Sequence, residues 1–300
     1  MGRWLVTGAT GLLGANLLRI LGASAIGTAR RLPRVLTSSG IRRDLSSAAG
    51  RSELVALSGA DCVIHCAAVS TIEACENSPE LAWELNVNAA ADLARQAADL
   101  GVGFIHISTD AVFDGRTGGY TEQSTPNPQT VYAKTKLAGE SAVLSAHPNA
   151  MVARVNFYGW SPSGNRGLAE FFFNNLRSGQ TVPGFNDQIV STLEVSFLAG
   201  ALTALYELGA SGILNVASSE PITKYQFGRN LAKTFGFNPE LVVESQQSSY
   251  LHYPRSPMLN LDTTLIQNLL GQSMPNQLEG FQQLAAERSD GVPEFLQSFY

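Results

Sequence analysis

The glycine-rich segment after the first apolar run constrains the fold of this chain more than any other feature. Gly8, Gly11 and Gly14 are spaced G-x-x-G-x-x-G, between an apolar run at 3–7 and an amphipathic segment at 12–21. Glycine lets the backbone turn sharply and lets a pyrophosphate approach peptide N–H groups, where a helix N-terminus adds its positive dipole end. A strand, this turn and a helix in that order predict a dinucleotide site rather than an ordinary structural turn.

Short apolar runs alternate with helical patterns as far as residue 160. The apolar runs predict strands, and the periodic segments between them predict helices. Strand–helix–strand alternation favours an α/β fold, a Rossmann-type doubly wound parallel sheet covered on both faces. In this part of the chain we expect strands at 3–7, 25–29, 61–65, 103–108 and 151–155, and helices at 12–21, 79–100 and 131–145.

The texture of the sequence changes near residue 157, where glycine, serine, proline and aromatic residues predict a loop at 156–165. Helices are predicted at 168–178, 193–208 and 224–235, a strand at 212–216, and loops with short helices after 240. We therefore expect a dinucleotide-binding Rossmann domain at 1–156 and a smaller, mainly substrate-binding C-terminal lobe at 157–300. The stretch 190–216 is expected to pack back on the first domain.

Composition narrows the class of protein. Hydrophobic residues make up 44% and charged residues only 15%, which excludes a disordered chain. The net charge is −5 and no basic stripe is present, so no nucleic-acid partner is expected. Three cysteines, at 62, 66 and 75, fit neither a disulfide scaffold nor a zinc pattern, and no metal site is expected. Without an 18-residue apolar run or a signal peptide, we expect a cytoplasmic protein that does not bind membranes.

The residues after the second predicted strand bear on which dinucleotide is bound. An acidic residue about 20 positions past the glycines would bind the ribose hydroxyls of NAD. This chain has Arg30 and Arg31 there instead. Guanidinium groups bind a 2′-phosphate through paired hydrogen bonds and stack on adenine. The sequence therefore favours NADP(H) over NAD(H), with a solvated basic loop as the alternative reading.

Tyr132 and Lys136 are four residues apart in a helical segment, which places both side chains on one helix face. An ammonium group near a phenol favours the phenolate, so the spacing predicts a lowered pKa for Tyr132. Such a tyrosine can donate a proton to a carbonyl. Thr109 follows the strand predicted at 103–108, on the side where α/β sheets bind ligands. A Tyr-x-x-x-Lys pair placed beside such a threonine indicates a catalytic site.

Several motifs resemble those of extended short-chain dehydrogenases/reductases, and more narrowly the dTDP-4-dehydrorhamnose reductase-like group. The resemblance covers nearly the whole chain, and HISTDAVFDG combined with YAKTK is its most specific part. The matching segments are TGATGLLG (7–14), DL (44–45), VIHCAA (63–68), SPELAWELNVNAA (78–90), HISTDAVFDG (106–115), YAKTK (132–136), LAGE (137–140) and PRSPMLNLD (254–262).

The resemblance implies a role for individual residues. Thr109, Tyr132 and Lys136 would be catalytic: Thr109 would bind the carbonyl oxygen, Tyr132 would donate the proton, and Lys136 would hold the nicotinamide ribose. The cofactor would contact Gly8, Thr10, Gly11, Leu12, Leu13, Gly14, Arg30, Arg31, Asp44, Leu45, Cys66, Ala67, Ala68, Tyr132 and Lys136. The substrate would contact Ser70, Thr109, Asp110, Asn156, Phe157 and Arg255.

The implied activity is NADPH-dependent reduction of a keto group on a nucleotide-activated deoxysugar, by an enzyme that could be a homodimer. Departures from the group's pattern lie on the substrate side: Ala111 replaces a tyrosine, Ser256 a proline, and Phe157 or Trp160 stands in for a loop tryptophan. Two alternatives stay open, a reductase of a small non-sugar ketone and a regulatory module that binds NADP without turnover. Dehydration is disfavoured because Ala111 follows Asp110 where dehydratases carry a glutamate.

Overall fold

The computed structural model describes residues 2–37, 40–250, 253 and 255–300. Pro254, the first residue of the PRSPMLNLD segment, lies outside the described residues. The strands are β1 Trp4–Thr7, β2 Ala25–Ala29, β3 Ile41–Arg42, β4 Cys62–His65, β5 Gly103–Thr109, β6 Met151–Val155, β7 Phe157–Tyr158, β8 Val182–Phe185, β9 Ile189–Val190, β10 Leu193–Glu194, β11 Gly212–Val216, β12 Ile222–Thr223 and β13 Val242–Ser245.

Helices cover both faces of the main sheet. A π-helical segment, Glu84–Asn88, joins two of them, so that the helix predicted at 79–100 is continuous but locally underwound. They are α1 Leu12–Leu21, α2 Ala48–Arg51, α3 Leu54–Ser58, α4 Ile72–Asn77, α5 Pro79–Trp83, α6 Ala89–Leu100, α7 Val131–Ala146, α8 Leu168–Arg177, α9 Val195–Glu207, α10 Lys224–Thr234, α11 Thr264–Leu270, α12 Gln277–Ser289 and α13 Val292–Gln297.

Within the described residues, seven parallel strands form the central sheet in the order β11-β6-β5-β4-β1-β2-β3. The order reverses between β1 and β4, and ligands bind at such a switch point, beyond the carboxyl ends of the strands. The predicted Rossmann-type doubly wound sheet is confirmed.

Most predicted elements agree with the structure within two residues, and the exceptions have local causes. The loop predicted at 156–165 contains β7, which pairs with β10. The helix predicted from residue 193 begins only at Val195, because the extended Glu194 caps it by accepting hydrogen bonds from the backbone N–H groups of Ser196 and Phe197. The region after 240 contains a longer helix than expected, the 13-residue α12.

The core continues across the predicted domain boundary. One cluster of buried apolar side chains extends from Val6 in β1 through Trp160 to Phe227 and Phe281. The strand at 212–216 is an edge strand of the central sheet, paired in register with β6. The division at residue 156 into two functional lobes stays a prediction. In the described parts of the chain, none of the helices has the length and apolar character needed to cross a membrane.

Candidate active site

One cavity of about 600 Å³ opens at the carboxyl ends of the central strands. It extends from the glycine turn after β1 past the ends of β2, β4 and β5 to the first turns of α7. Among the predicted site residues, those that line it are Gly8, Thr10, Gly11, Leu12, Leu13, Gly14, Arg30, Asp44, Leu45, Cys66, Ala67, Ala68, Ser70, Thr109, Asp110, Tyr132, Lys136, Asn156 and Phe157.

The glycine turn is packed against the backbone on one side and open on the other. Gly8 has a φ of +67°, and a Cβ there would lie 2.9 Å from the backbone nitrogen of Ala67. A Cβ on Gly14 would lie 2.2 Å from the Gly8 carbonyl oxygen. Gly11 is the N-cap of α1 and provides no side-chain hydrogen bond, and its added Cβ would meet only that same oxygen, at 3.2 Å. The first turn of α1 therefore presents free N–H groups to the cavity, which suits an anionic group.

Thr109, Tyr132 and Lys136 meet at the inner end of the cavity. The Thr109 hydroxyl donates to Asp110 Oδ1 over 3.1 Å, and it is also the hydrogen-bond partner of the Tyr132 hydroxyl. The Lys136 ammonium donates to the carbonyl oxygen of Ile107 over 2.6 Å and lies 3.4 Å from Nε2 of His106. Three residues from two elements are thus assembled around one point of the cavity.

The expected lowering of the Tyr132 pKa is wrong for this structure. Burial is the main cause that raises the pKa of Tyr132 to about 12; the Thr109 hydrogen bond opposes it, and the charge of Asp110 adds a smaller rise. Burial also lowers the pKa of Lys136 to about 8. Desolvation disfavours the charged form of both groups, and it outweighs the attraction that the i, i+4 spacing suggested. The Tyr132 phenol is therefore protonated at neutral pH.

A buried carboxylate extends this group of residues toward the second lobe. Asp110 Oδ2 accepts a hydrogen bond from Asn156 Nδ2 over 2.6 Å, and burial raises the pKa of Asp110 to about 6. Lys224, at the start of α10, acts on Asp110 through its charge, and burial lowers the pKa of Lys224 to about 8. Sequence reasoning missed Lys224, because nothing in its local sequence shows that it faces a residue 114 positions earlier.

Comparison with known proteins decides the family. The family model described as "RmlD substrate binding domain" matches residues 2–289. The chain belongs to this family. It is 33% identical over 293 residues to a probable low-salt glycan biosynthesis reductase of Haloferax volcanii, covering 95% of this chain and 98% of the relative. It is 34% identical over 249 residues to dTDP-4-dehydrorhamnose reductase of Mycobacterium tuberculosis, covering 80% and 78%.

A solved structure agrees with these relatives. The crystal structure of a hypothetical dTDP-4-dehydrorhamnose reductase from Sulfolobus tokodaii superimposes with a TM-score of 0.82 at 27% identity, covering 93% of this chain and 98% of that one. The resemblance to reductases of the extended short-chain dehydrogenase/reductase type is confirmed, as is the prediction that the chain is an oxidoreductase.

Two residues predicted for the RmlD-type site do not line the cavity. Arg31 is exposed outside it, whereas Arg43, which follows the neighbouring strand β3, does line it. Arg255 forms an ion pair with Glu73, with 2.7 Å between Nη2 and Oε1. Parallel strands bring the residues after β2 and β3 together at one sheet edge, so Arg43 becomes the neighbour of Arg30 in the cavity.

Trp160 is not available to a substrate. It is 3% exposed, its indole N–H donates to the carbonyl oxygen of Leu284, and its ring packs edge-on against Phe173 and Phe235. The suggestion that Trp160 substitutes for a loop tryptophan is therefore wrong, and it belongs to the core. Phe157, the other candidate, lines the cavity.

Asn86 is a further positioning residue that the sequence analysis did not single out. Its side chain accepts a hydrogen bond from the backbone nitrogen of Val69 and donates to the carbonyl oxygen of Val69 and to the hydroxyl of Thr135. It thereby ties the cavity-lining loop after β4 to α7. The π-helical segment that carries Asn86 is a type often found at functional sites, and it was not apparent from the periodicity.

Proposed function

We propose that this protein uses NADPH to reduce a keto group on a nucleotide-activated deoxysugar. The observation that carries the proposal is a single cavity with an open glycine turn at one end and Thr109, Tyr132 and Lys136 at the other. Its volume of about 600 Å³ is in the range of cofactor sites. Unused N–H groups at the start of α1 and the close approach that Gly11 leaves free fit a pyrophosphate.

The chemistry can be divided among the chain's own residues. NADPH bound in this cavity would supply the hydride. Thr109 would orient the substrate carbonyl oxygen beside the Tyr132 hydroxyl by donating to it the hydroxyl proton that Asp110 Oδ1 accepts in this structure. Tyr132, protonated at neutral pH, donates its proton to the forming alkoxide. Two contacts to β5 orient the Lys136 ammonium, leaving an N–H for a ribose hydroxyl.

The preference for NADPH over NADH rests on Arg30 and Arg43. Both line the cavity, at the end where a 2′-phosphate would lie, and guanidinium groups bind phosphate through paired hydrogen bonds. We expect Arg30→Ala and Arg43→Ala each to weaken NADPH binding more than NADH binding. Arg31→Ala is the matched control, because this exposed neighbour lies outside the cavity. Equal NADPH and NADH dissociation constants in the unmodified protein would exclude the preference.

Residues of both lobes line the substrate end of the cavity. Asp110 and Asn156 hold each other, Ser70 lies at the mouth, and Phe157 offers an aromatic face for a nucleotide base. Arg255 would bind the diphosphate once its ion pair with Glu73 is broken. Ala111, which replaces a tyrosine, packs against the buried cluster of Val112 and Phe113 and does not line the cavity. A homodimer stays a prediction.

The decisive experiment follows NADPH absorbance with dTDP-4-keto-6-deoxyglucose and with its 3,5-epimer. We expect Tyr132→Phe to lower kcat by roughly 100-fold or more, the usual contribution of a positioned acid. Tyr206→Phe is the control, because it removes a phenol hydroxyl that bonds the Asp61 carbonyl oxygen away from the cavity. If neither sugar nucleotide causes NADPH oxidation and neither stabilises the protein against heat, a sugar-nucleotide substrate is excluded. Turnover of a simple ketone would then favour the non-sugar reductase, and absence of any turnover the regulatory module.

A further inference from the structure

A buried carboxylate lies one helical turn beyond Lys136 on α7. Glu140 is 2% exposed, and its two oxygens are bound by Arg154 through Nε over 3.0 Å and Nη2 over 2.7 Å. Ser108, the residue before Thr109, donates to Glu140 Oε1 over 2.5 Å. Ser108 and Arg154 are register partners on β5 and β6, so the carboxylate is fixed to two adjacent strands at once.

Four consecutive residues of β5 therefore contact α7. The ring of His106 and the carbonyl oxygen of Ile107 bind Lys136, Ser108 binds Glu140, and the Thr109 hydroxyl meets Tyr132. This alignment places α7 over the sheet in one register. The bidentate ion pair between Glu140 and Arg154 fixes this register, because a charged pair between two buried groups tolerates little displacement.

Glu140 also differs in charge from the other groups around Lys136. From β4 and β5, His65 and His106 face Lys136, and burial together with the ammonium charge lowers the pKa of both, so they are neutral. The thiols of Cys66 and Cys75 face it from the loop after β4 and from α4, and burial raises the pKa of both, so they stay protonated.

Among the described groups that act electrostatically on Lys136, Glu140 is the one held in an ion pair, with 2.7 Å between its Oε2 and Nη2 of Arg154, and its charge raises the pKa of Lys136 against the effect of burial. Arg154 adds a second cation to the cluster, and its guanidinium cannot give up a proton in a protein. Removing the carboxylate would leave two buried cations, of which only Lys136 can become neutral.

We propose that Glu140 is a positioning residue for the reaction: fixed by Ser108 and Arg154, its carboxylate holds Lys136 as a charged ammonium group in contact with β5. The inference rests on the proposed function, because it assigns Glu140 an effect on the lysine that would hold the cofactor. Glu140 itself does not line the cavity, and it acts through Lys136.

Competitive labelling of the lysine amines with acetic anhydride, followed by mass spectrometry across a pH series, measures the pKa of Lys136 in the cofactor-free protein. We expect Glu140→Gln to lower it by about one unit or more, the usual effect of an opposite charge at close range. Glu140→Asp keeps the charge and should restore most of the loss. The alkaline limb of the pH profile of kcat should move to lower pH in the glutamine variant and return in the aspartate variant.

Glu170→Gln is the matched control, since Glu170 is also a buried carboxylate but is bound by Ser161 and by the backbone of Arg166. It should lower thermal stability without moving the Lys136 pKa. An unchanged Lys136 pKa in a folded Glu140→Gln protein would overturn the proposal, whatever its activity. The labelling needs no substrate, so failure of the sugar-nucleotide reaction would not be confused with failure of this inference.

Discussion

Two alanine substitutions in the glycine turn separate packing from ligand access. Gly11 and Gly14 lie three residues apart, and neither has a φ in the left-handed region, so alanine is compatible with the backbone at both positions. They differ in what a Cβ would meet. At position 14 it would lie 2.2 Å from the Gly8 carbonyl oxygen and 2.8 Å from the Gly8 carbonyl carbon, whereas at position 11 it would meet only that oxygen, at 3.2 Å.

The clash at Gly14 involves only backbone, which cannot rotate away, so the turn itself must shift. Overpacking of this kind lowers the free energy of unfolding by about 1–3 kcal/mol. We expect Gly14→Ala to reach the upper end of this range, which corresponds to a decrease of roughly 6 °C in Tm. Gly11→Ala should cost only about 1 kcal/mol, because alanine is a poorer N-cap than glycine. Its methyl group would instead project into the space of the pyrophosphate, so NADPH affinity should fall roughly tenfold or more.

Thermal denaturation of the cofactor-free proteins measures the first effect, and NADPH titration followed by fluorescence measures the second. Gly11→Ala should retain most of its stability and lose affinity, whereas Gly14→Ala should lose both. Binding of NADPH by Gly11→Ala as tight as that of the unmodified protein would refute this assignment, and so would an equal decrease in Tm in the two variants.

Three further predictions test the fold around the site. Gly200→Ala should raise the free energy of unfolding by about 0.5–1 kcal/mol in urea denaturation, because Gly200 is an exposed residue inside α9 with open space around it. Trp160→Ala should lower the free energy of unfolding by about 3–5 kcal/mol, because Trp160 is buried in the core. Phe157→Ala should mainly raise KM for the nucleotide sugar, because Phe157 lines the cavity. The opposite pattern would place Trp160 at the site. Burial and the charge of Glu287 raise the pKa of Glu194 above its usual 4.5, so stability should fall as pH rises through and beyond that value. Glu194→Gln should flatten this slope in Tm measurements from pH 4 to 8, and an unchanged slope would contradict the assignment.

The parts of the site that were predicted correctly depend on residues close together in the sequence, and the parts that were missed depend on contacts between residues far apart in it. The glycine turn, the strand ending at Thr109 and the Tyr132–Lys136 spacing each depend on residues within a few positions of one another. The lowered pKa of Tyr132 was inferred from the same spacing, yet it was wrong, because burial depends on the whole fold rather than on the i, i+4 neighbour.

The sequence by itself determined the order of strands and helices and the position of the glycine turn, because apolar periodicity and the absence of a Cβ act through the local backbone. Only the tertiary structure decided that Arg43 and not Arg31 joins Arg30, that Trp160 is a core residue, and that Glu140 is held between Ser108 and Arg154. These contacts join residues far apart in the chain. Their partners are chosen by the packing of strands and helices against one another, and no local pattern records that choice.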